Sequence, residues 1–298
     1  MGVPSIRAAT ILTRTMVEPQ CPPVALQGRW LLLARIGWLV FVAVAIAHWI
    51  VVNFWIDMSS SPLPGAASAE IVREGLTRLH FPTDMITWFN PAIMLVTAAV
   101  YFSTAFLLFW RKSNETIALL LGLFLIAQTT ATYPPALVTM AETHPVLAMI
   151  GTVTTFAFAL LFYWVVLLFP DGRFTPRWTT IPAMIWLATL VDGFFLGDHL
   201  PSTPGGWPEA VFAVLLLGCA IYSQVYRYRR VSGPAEREQI KWGDLGLGIS
   251  LFSFVIMNVF LDWARLEQPG TPPEHVALAT LTFNLIGTLT SILLPLTL

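Results

Sequence analysis

The five histidines are the first residues that could do chemistry in this sequence, because imidazole titrates near neutral pH and is a common metal ligand. They are His48, His80, His144, His199 and His275. Metal sites usually take two ligands from positions a few residues apart, and the histidines are scattered instead. The two cysteines, Cys21 and Cys219, add neither a disulfide framework nor a metal spacing. The sequence therefore predicts no metal, no cofactor and no catalytic residue.

A second candidate is a polar cluster followed by two prolines. Gln128, Thr129, Thr130 and Thr132 precede Tyr133-Pro134-Pro135. Successive prolines free backbone carbonyls and bend a helix, and hydroxyl groups can satisfy the freed carbonyls. We expect a bend here, and Gln128, Thr129, Thr132 and Tyr133 are the candidate residues of a small-ligand pocket. The alternative is a structural bend without a ligand. Asp192, by contrast, lies near a predicted helix end, where solvation can explain it.

Two charged segments could pass on a conformational signal. In segment 167–178 a proline ends a helix and Asp171-Gly172 predicts a tight reversal before Arg173. In segment 233–242 Pro234 and Glu236 suit the start of a helix, which places Arg237 and Lys241 one turn apart. We expect five basic residues to be attracted to anionic lipid headgroups: Arg227, Arg229, Arg230, Arg237 and Lys241. The candidate relay residues are Asp171, Arg173, Arg237 and Lys241; the alternative is that these charges only fix topology.

The composition indicates what must position these residues. The chain of 298 residues is 56% hydrophobic and 11% charged, with a net charge of −1, whereas soluble domains carry roughly a quarter charged residues. Nothing in this charge balance indicates nucleic acid. A membrane-spanning helix needs roughly 20 mainly apolar residues. Eight runs meet this length approximately: 30–56, 88–110, 116–140, 146–169, 179–196, 210–226, 242–264 and 277–298.

Basic residues predict the orientation, because Lys and Arg are retained on the cytoplasmic side. With the N-terminus inside, the outer side has only Arg73, Arg78 and Arg265 of the 16 basic residues. The sequence therefore predicts an all-α, polytopic helix bundle with about eight transmembrane helices and both termini in the cytoplasm. Residues 1–29 form a cytoplasmic tail and residues 30–298 a transmembrane domain. Tryptophans fall at both predicted membrane boundaries, as amphipathic indoles prefer.

The outer loop at about 57–87 includes a short amphipathic helix, predicted at 67–80. Val72, Leu76 and Leu79 share one face, while Glu74 and Arg78 have the favourable i,i+4 spacing on another. This helix is either a lid that faces a ligand or an element that packs over the bundle.

Four segments together resemble the membrane region of a family of bacterial sensor histidine kinases: the turn FPDGRFTPRW (169–178), the helix start ERxQxKW (236–242), FWRKS (109–113) and LLPL (293–296). The likeness runs from about the first helix to the last residue. It implies an input module for two-component signal transduction, in which the stretch like 293–296 continues into dimerisation and ATP-binding domains. Since the chain ends in Leu-Thr-Leu, we expect it to be a truncated part of such a protein.

The kinase part itself is not in this chain. A phospho-accepting histidine must lie on a cytoplasmic helix, but His48 falls in the first span and the other four on the outer side. The predicted function is therefore a non-catalytic sensor module in the cell membrane. Its expected partners are the lipid bilayer and a second copy or a kinase or other membrane partner. The alternatives are a non-catalytic subunit or scaffold of a larger membrane complex, or a transporter. The sequence shows no inverted repeat, which many transporters contain.

Overall fold

The computed structural model describes residues 24–55, 69–83, 85–131, 134–197, 207–230, 271–297 and parts of 237–248. Within these residues the fold is all-α, with an isolated bridge between Ala25 and Glu115 and no strand. In chain order the helices are α1 (Gly28–Phe54), α2 (Ala69–Arg78), α3 (Met85–Lys112), α4 (Thr116–Thr130), α5 (Pro134–Thr143), α6 (Pro145–Leu168), α7 (Thr180–Val191), α8 (Trp207–Arg230) and α9 (Pro273–Thr297). A 3₁₀ turn at Arg177–Thr179 leads into α7, and a π-helix at Asp192–Leu196 extends it. The described parts of 237–248 are also helical.

In the part of the chain that the structure describes, four helical segments are long and apolar enough to cross a membrane: Gly28–Phe54, Pro91–Lys112, Pro145–Leu168 and Arg177–Leu196. They expose large apolar side chains, among them Leu33, Val40 and Leu107. Soluble monomers rarely expose large contiguous apolar patches, whereas lipid tails would cover these faces. The length, composition and exposed faces of these helices thus indicate a membrane protein.

The third hydrophobic run differs from the prediction of one span at 116–140. It forms two helices instead of one: α4 ends at Thr130, and α5 begins at Pro134. A proline has no amide hydrogen and disfavours helical backbone in the residue before it. The predicted bend at the prolines is therefore a complete break. The predicted span 210–226 lies within α8, the described residues of 277–298 lie within α9, and the run 242–264 is described only in some of its first residues.

The main core is formed by α1, α3, α4 and α6. At its centre Trp38 stacks on Phe109 with a centroid distance of 4.3 Å. Gly122 allows the Trp38 ring to approach α4 closely, since a Cβ at Gly122 would lie 3.2 Å from the Trp38 Nε1 atom. A smaller cluster joins α6, α7 and α8 through Tyr163, Leu167, Ala183, Leu216 and Ala220.

The ends of many helices meet at one end of the bundle. Ahead of α1, the Leu26 amide donates to the Asn114 carbonyl (2.8 Å), between α3 and α4. The Val24 amide donates to the Asp171 carbonyl (3.2 Å), between α6 and α7. This junction end therefore gathers the starts of α1, α4 and α7 with the ends of α3 and α6, as alternating helices require. Four exposed tryptophans mark it, as expected at a membrane interface: Trp30, Trp110, Trp178 and Trp242.

Candidate functional site

The turn 169–176 is the polar centre of the junction end. The Gly172 amide donates to the Leu168 carbonyl (2.8 Å), and the Arg173 amide donates to Asp171 Oδ1 (3.2 Å). Gly172 has a φ of 76°, in the left-handed region that a residue without Cβ adopts most easily. The tight reversal predicted at Asp171-Gly172 is therefore confirmed.

Arg227 of α8 is buried against this turn, with 2% of the residue exposed. Its Nη1 donates to Asp171 Oδ1, and its Nη2 donates to the carbonyls of Leu167 (2.7 Å) and Arg173. A buried charge is tolerated only when it is paired and hydrogen-bonded. The pair between Arg227 and Asp171 meets this condition and connects α8 to the turn after α6.

Two neighbours of Arg227 on α8 bind this turn and the end of α6 that precedes it. The Ser223 hydroxyl donates to the Thr175 carbonyl (2.8 Å), and the Gln224 amide nitrogen donates to the Val166 carbonyl. Residues three or four positions apart share a helix face, so Ser223, Gln224 and Arg227 act together. We call the turn 169–176 with these three α8 residues the polar junction.

The helical segment at 237–248 also reaches the polar junction. A Cβ at Gly243 would lie only 3.0 Å from the Phe169 ring, so this segment and the turn pack closely. The predicted relay residues of the segment lie on its surface. The Arg237 guanidinium is 5.9 Å from the centre of the Tyr228 ring, and Lys241 Nζ is 3.2 Å from Glu238 Oε1.

The expectation that Arg227 faces lipid headgroups is wrong. The apolar pattern predicts that the sixth span ends at Tyr226, whereas α8 continues to Arg230. Arg227 therefore lies on a helix face that packs against the bundle. Arg229 and Arg230 are exposed, as expected for residues beyond that face. Of the four predicted relay residues, Asp171 and Arg173 belong to the polar junction, while Arg237 and Lys241 lie on the surface nearby.

The predicted ligand pocket coincides with the break between α4 and α5. Gln128 and Thr129 are half-buried near the end of α4, and Thr132 and Tyr133 lie outside the described residues. The Thr129 hydroxyl donates to the Leu125 carbonyl (3.0 Å). At the break, the Thr154 hydroxyl of α6 lies 3.5 Å from the Thr130 carbonyl. A hydroxyl of a neighbouring helix therefore approaches the freed carbonyl, and ligand binding here stays a prediction.

Two buried titratable residues were not singled out as sites from the sequence. His48 is 2% exposed and packs against Gly151, where a Cβ would lie 3.2 Å from the His48 Nε2 atom. Asp192 is 5% exposed at the start of the π-helix. The interpretation that solvation explains Asp192 is therefore wrong, because the residue is buried within the protein.

At the end opposite the polar junction, α2 lies on the start of α9. Val72 and Leu76 are fully buried in this interface. Gly75 leaves no room for a side chain, since its Cβ would collide with the Pro273 carbonyl and lie 2.7 Å from the Ala277 Cβ. The predicted amphipathic helix is confirmed as α2, and its apolar face packs on the bundle.

An exposed set of ion pairs borders the α2–α9 interface. Arg78 lies 2.6 Å from Glu74 on α2 and 3.2 Å from Glu274 on α9. Hydrogen bonding to Glu74 and then to Glu274 raises the pKa of Arg78. The backbone amide of Glu274 itself, and then Arg78, lower the pKa of the Glu274 carboxyl. Exposed pairs contribute little stability, so they orient α2 while Val72 and Leu76 anchor it.

Comparison with protein-family models, curated proteins and solved structures finds no match for this chain. Its function therefore has to be argued from its own geometry.

Proposed function

We propose that this chain is a membrane-embedded sensor module of a two-component signalling system. It spans the cell membrane eight times, has both termini in the cytoplasm and performs no catalysis. In this proposal the α2 end faces outward, and a histidine kinase, in the same polypeptide or as a partner, receives the signal. The resemblance of segments 109–113, 169–178, 236–242 and 293–296 to sensor kinases supports the proposal.

The observation that carries the proposal is the α2–α9 interface. Among the described helices, α9 packs most extensively against α2 and next against α3. Further along α9, Leu285 and Leu289 are 45% and 58% exposed. An amphipathic helix outside the apolar spans thus holds the start of a helix that leads to the opposite end of the bundle. We therefore expect a ligand or membrane change that moves α2 to move α9 as well.

The polar junction supplies the fixed part against which α9 can move. Its hydrogen bonds tie α8 to the turn after α6, while residues 24–26 tie that turn to α1 and to the connection between α3 and α4. Signalling requires two discrete arrangements of packed elements. A tightly connected bundle is compatible with this requirement when one helix packs, among the described helices, mainly on a peripheral element.

The first test is genetic and uses the complete gene with its neighbours. The proposal expects a histidine kinase domain either in the same reading frame or in an adjacent gene. If neither a kinase domain nor a response regulator occurs there, the two-component assignment is wrong.

The second test links α2 to α9 in native membranes that contain the kinase. In a background with Cys21 and Cys219 replaced by serine, a short bismaleimide would join Arg78→Cys to Glu274→Cys. The matched control joins Glu74→Cys to Arg78→Cys within α2. We expect the α2–α9 link to change kinase autophosphorylation several-fold and the control link to leave it near the uncrosslinked level. Unchanged autophosphorylation after complete α2–α9 linking would contradict the proposal.

A further inference from the structure

The last turns of α8 carry a row of aromatic rings that continues onto the turn before α7. The Trp178 and Tyr222 rings are 5.7 Å apart, and the Tyr222 and Tyr226 rings are stacked at 6.2 Å. Trp178 and Tyr222 are 42% and 51% exposed. Exposed tryptophan and tyrosine rings prefer the headgroup level of a membrane.

Basic side chains surround this aromatic row. Arg173 and Arg177 are exposed on the turn, and Arg229 and Arg230 are exposed at the end of α8. Arg237 and Lys241 on the next segment are also exposed. The described carboxylates nearby are Asp171, which is paired with buried Arg227, and Glu238, which is paired with Lys241. Counting the described residues alone, this end of α8 therefore has an excess of exposed positive charge.

Hydrogen bonds hold the two parts of this surface together. Ser223 binds the Thr175 carbonyl, and Arg227 binds the Arg173 carbonyl, so the turn runs alongside α8. Arg173 and Arg177 are thereby placed beside the part of α8 that carries the tyrosines. The fold holds the backbone of these basic residues in place, which reduces the conformational entropy that is lost when a ligand binds.

We propose that this surface, formed by Arg173, Arg177, Trp178, Tyr222, Arg229 and Arg230, binds the phosphate headgroups of anionic phospholipids. Guanidinium groups match phosphate oxygens in a bidentate geometry. The same side of the chain also offers apolar contacts for acyl chains, because α8 exposes Val214, Leu215 and Ile221. A water-soluble acidic protein would use the arginines but not this apolar face. The surface thus fits a ligand that is anionic at one end and apolar at the other.

The test measures lipid preference in the full chain reconstituted into phosphatidylcholine vesicles. The readout is the association constant of spin-labelled phosphatidylglycerol relative to spin-labelled phosphatidylcholine. The test variant is Arg229→Gln with Arg230→Gln. The control variant, Arg111→Gln with Lys112→Gln, removes the same charge at the same end of the bundle from residues that are also exposed but lie outside this surface.

We expect the natural chain to prefer phosphatidylglycerol and the test variant to lose about tenfold to thirtyfold of that preference. The reason is that one exposed arginine paired with a lipid phosphate contributes up to about a fivefold factor in affinity, and the test variant removes two arginines. The control should lose less than about threefold, and added salt should weaken the preference of the natural chain. Thermal unfolding of both variants checks that they fold.

Three results would overturn the proposal. Equal losses in the test and control variants would mean that general positive charge, not this surface, attracts lipid. Displacement of the labelled lipid by millimolar inorganic phosphate would mean that the surface recognises the anion without the lipid. Binding of polyglutamate together with no preference for phosphatidylglycerol would assign the surface to an acidic protein partner.

Discussion

At the scale of single residues, the buried pair of Arg227 and Asp171 is the feature on which the polar junction depends. Arg227 is 2% exposed, and the Asp171 side chain is 14% exposed. Two charges with so little access to water are stable only while both are present, since either one alone would be a buried unpaired charge.

Replacing Arg227 by Gln should lower the free energy of unfolding by about 3–5 kcal/mol, because Asp171 is left without its counter-charge. The matched control is Arg229→Gln on the exposed face of α8, with an expected change within about 0.5 kcal/mol. Denaturant unfolding in detergent micelles measures both. Equal effects of the two substitutions would show that the pair does not stabilise the junction.

Gly172 provides a second residue-scale prediction, based on its left-handed backbone. Gly172→Ala should destabilise the protein by about 1–2 kcal/mol, because a Cβ at a φ of 76° is strained. Gly218→Ala is the control, since a Cβ there meets nothing within 4 Å inside α8 and alanine favours the helix by about 1 kcal/mol. The two thermal midpoints should therefore shift in opposite directions. A shift of the same sign would be inconsistent with strain at Gly172.

The sequence alone identified half of the polar junction. Asp171 and Arg173 could be named because proline, Asp-Gly and arginine together predict a reversal at a helix end. The apolar pattern predicts the membrane surface for Arg227, because the apolar run ends about one turn before the end of α8. A signal was present, however: Ser223, Gln224 and Arg227 have the spacing of one helix face. The partner of that face is set by tertiary packing, which a single sequence does not record.

At the scale of elements, the amphipathic pattern of α2 predicted a helix with one buried face. It did not predict that α9 covers that face, because the pattern defines which residues are buried and not what buries them. Glycine is the residue type that fits position 75, since any Cβ there would collide with the Pro273 carbonyl. The close approach of the two backbones therefore fixes which part of α2 lies on α9.

The α2–α9 interface should weaken in acid. The pKa of Glu274 is lowered in the folded protein, so its contribution is present above the ordinary glutamate pKa of 4.5 and is lost as pH falls through the lowered value. Hydrogen exchange of the α2 amides should rise modestly below pH 4.5, since Val72 and Leu76 still hold the helix. In Glu274→Gln this acid-dependent rise should shrink. An identical rise in that variant would assign it to other groups.

At the scale of the whole molecule, the starts of α1, α4 and α7 lie with the ends of α3 and α6 at the junction end, and the distribution of basic residues predicts that this end faces the cytoplasm. Two positions suited to testing orientation follow from the structure. Asn114 is exposed at the junction end, whereas neighbouring Ser113 is buried. Thr77 is exposed on α2.

In a background without Cys21 and Cys219, a cysteine at Thr77 should react with an impermeant reagent in intact cells. A cysteine at Asn114 should react only after the membrane is permeabilised, because the proposed topology places the junction end inside. Labelling of Asn114→Cys in intact cells would show that the junction end faces outward and that the proposed topology is wrong.

The proposed function requires that α2 controls the position of α9 relative to the rest of the bundle. The most direct measurement is the distance between spin labels at Asn114 and at Leu293, which is exposed about 30 Å along α9 from its start. Gly75→Leu must push α2 off Pro273, and Thr77→Leu on the exposed face of α2 is the control. We predict that Gly75→Leu shifts the mean distance by about 2 Å or more, while the control does not. The same distance distribution in Gly75→Leu and in the natural chain would show that α2 does not control the position of α9.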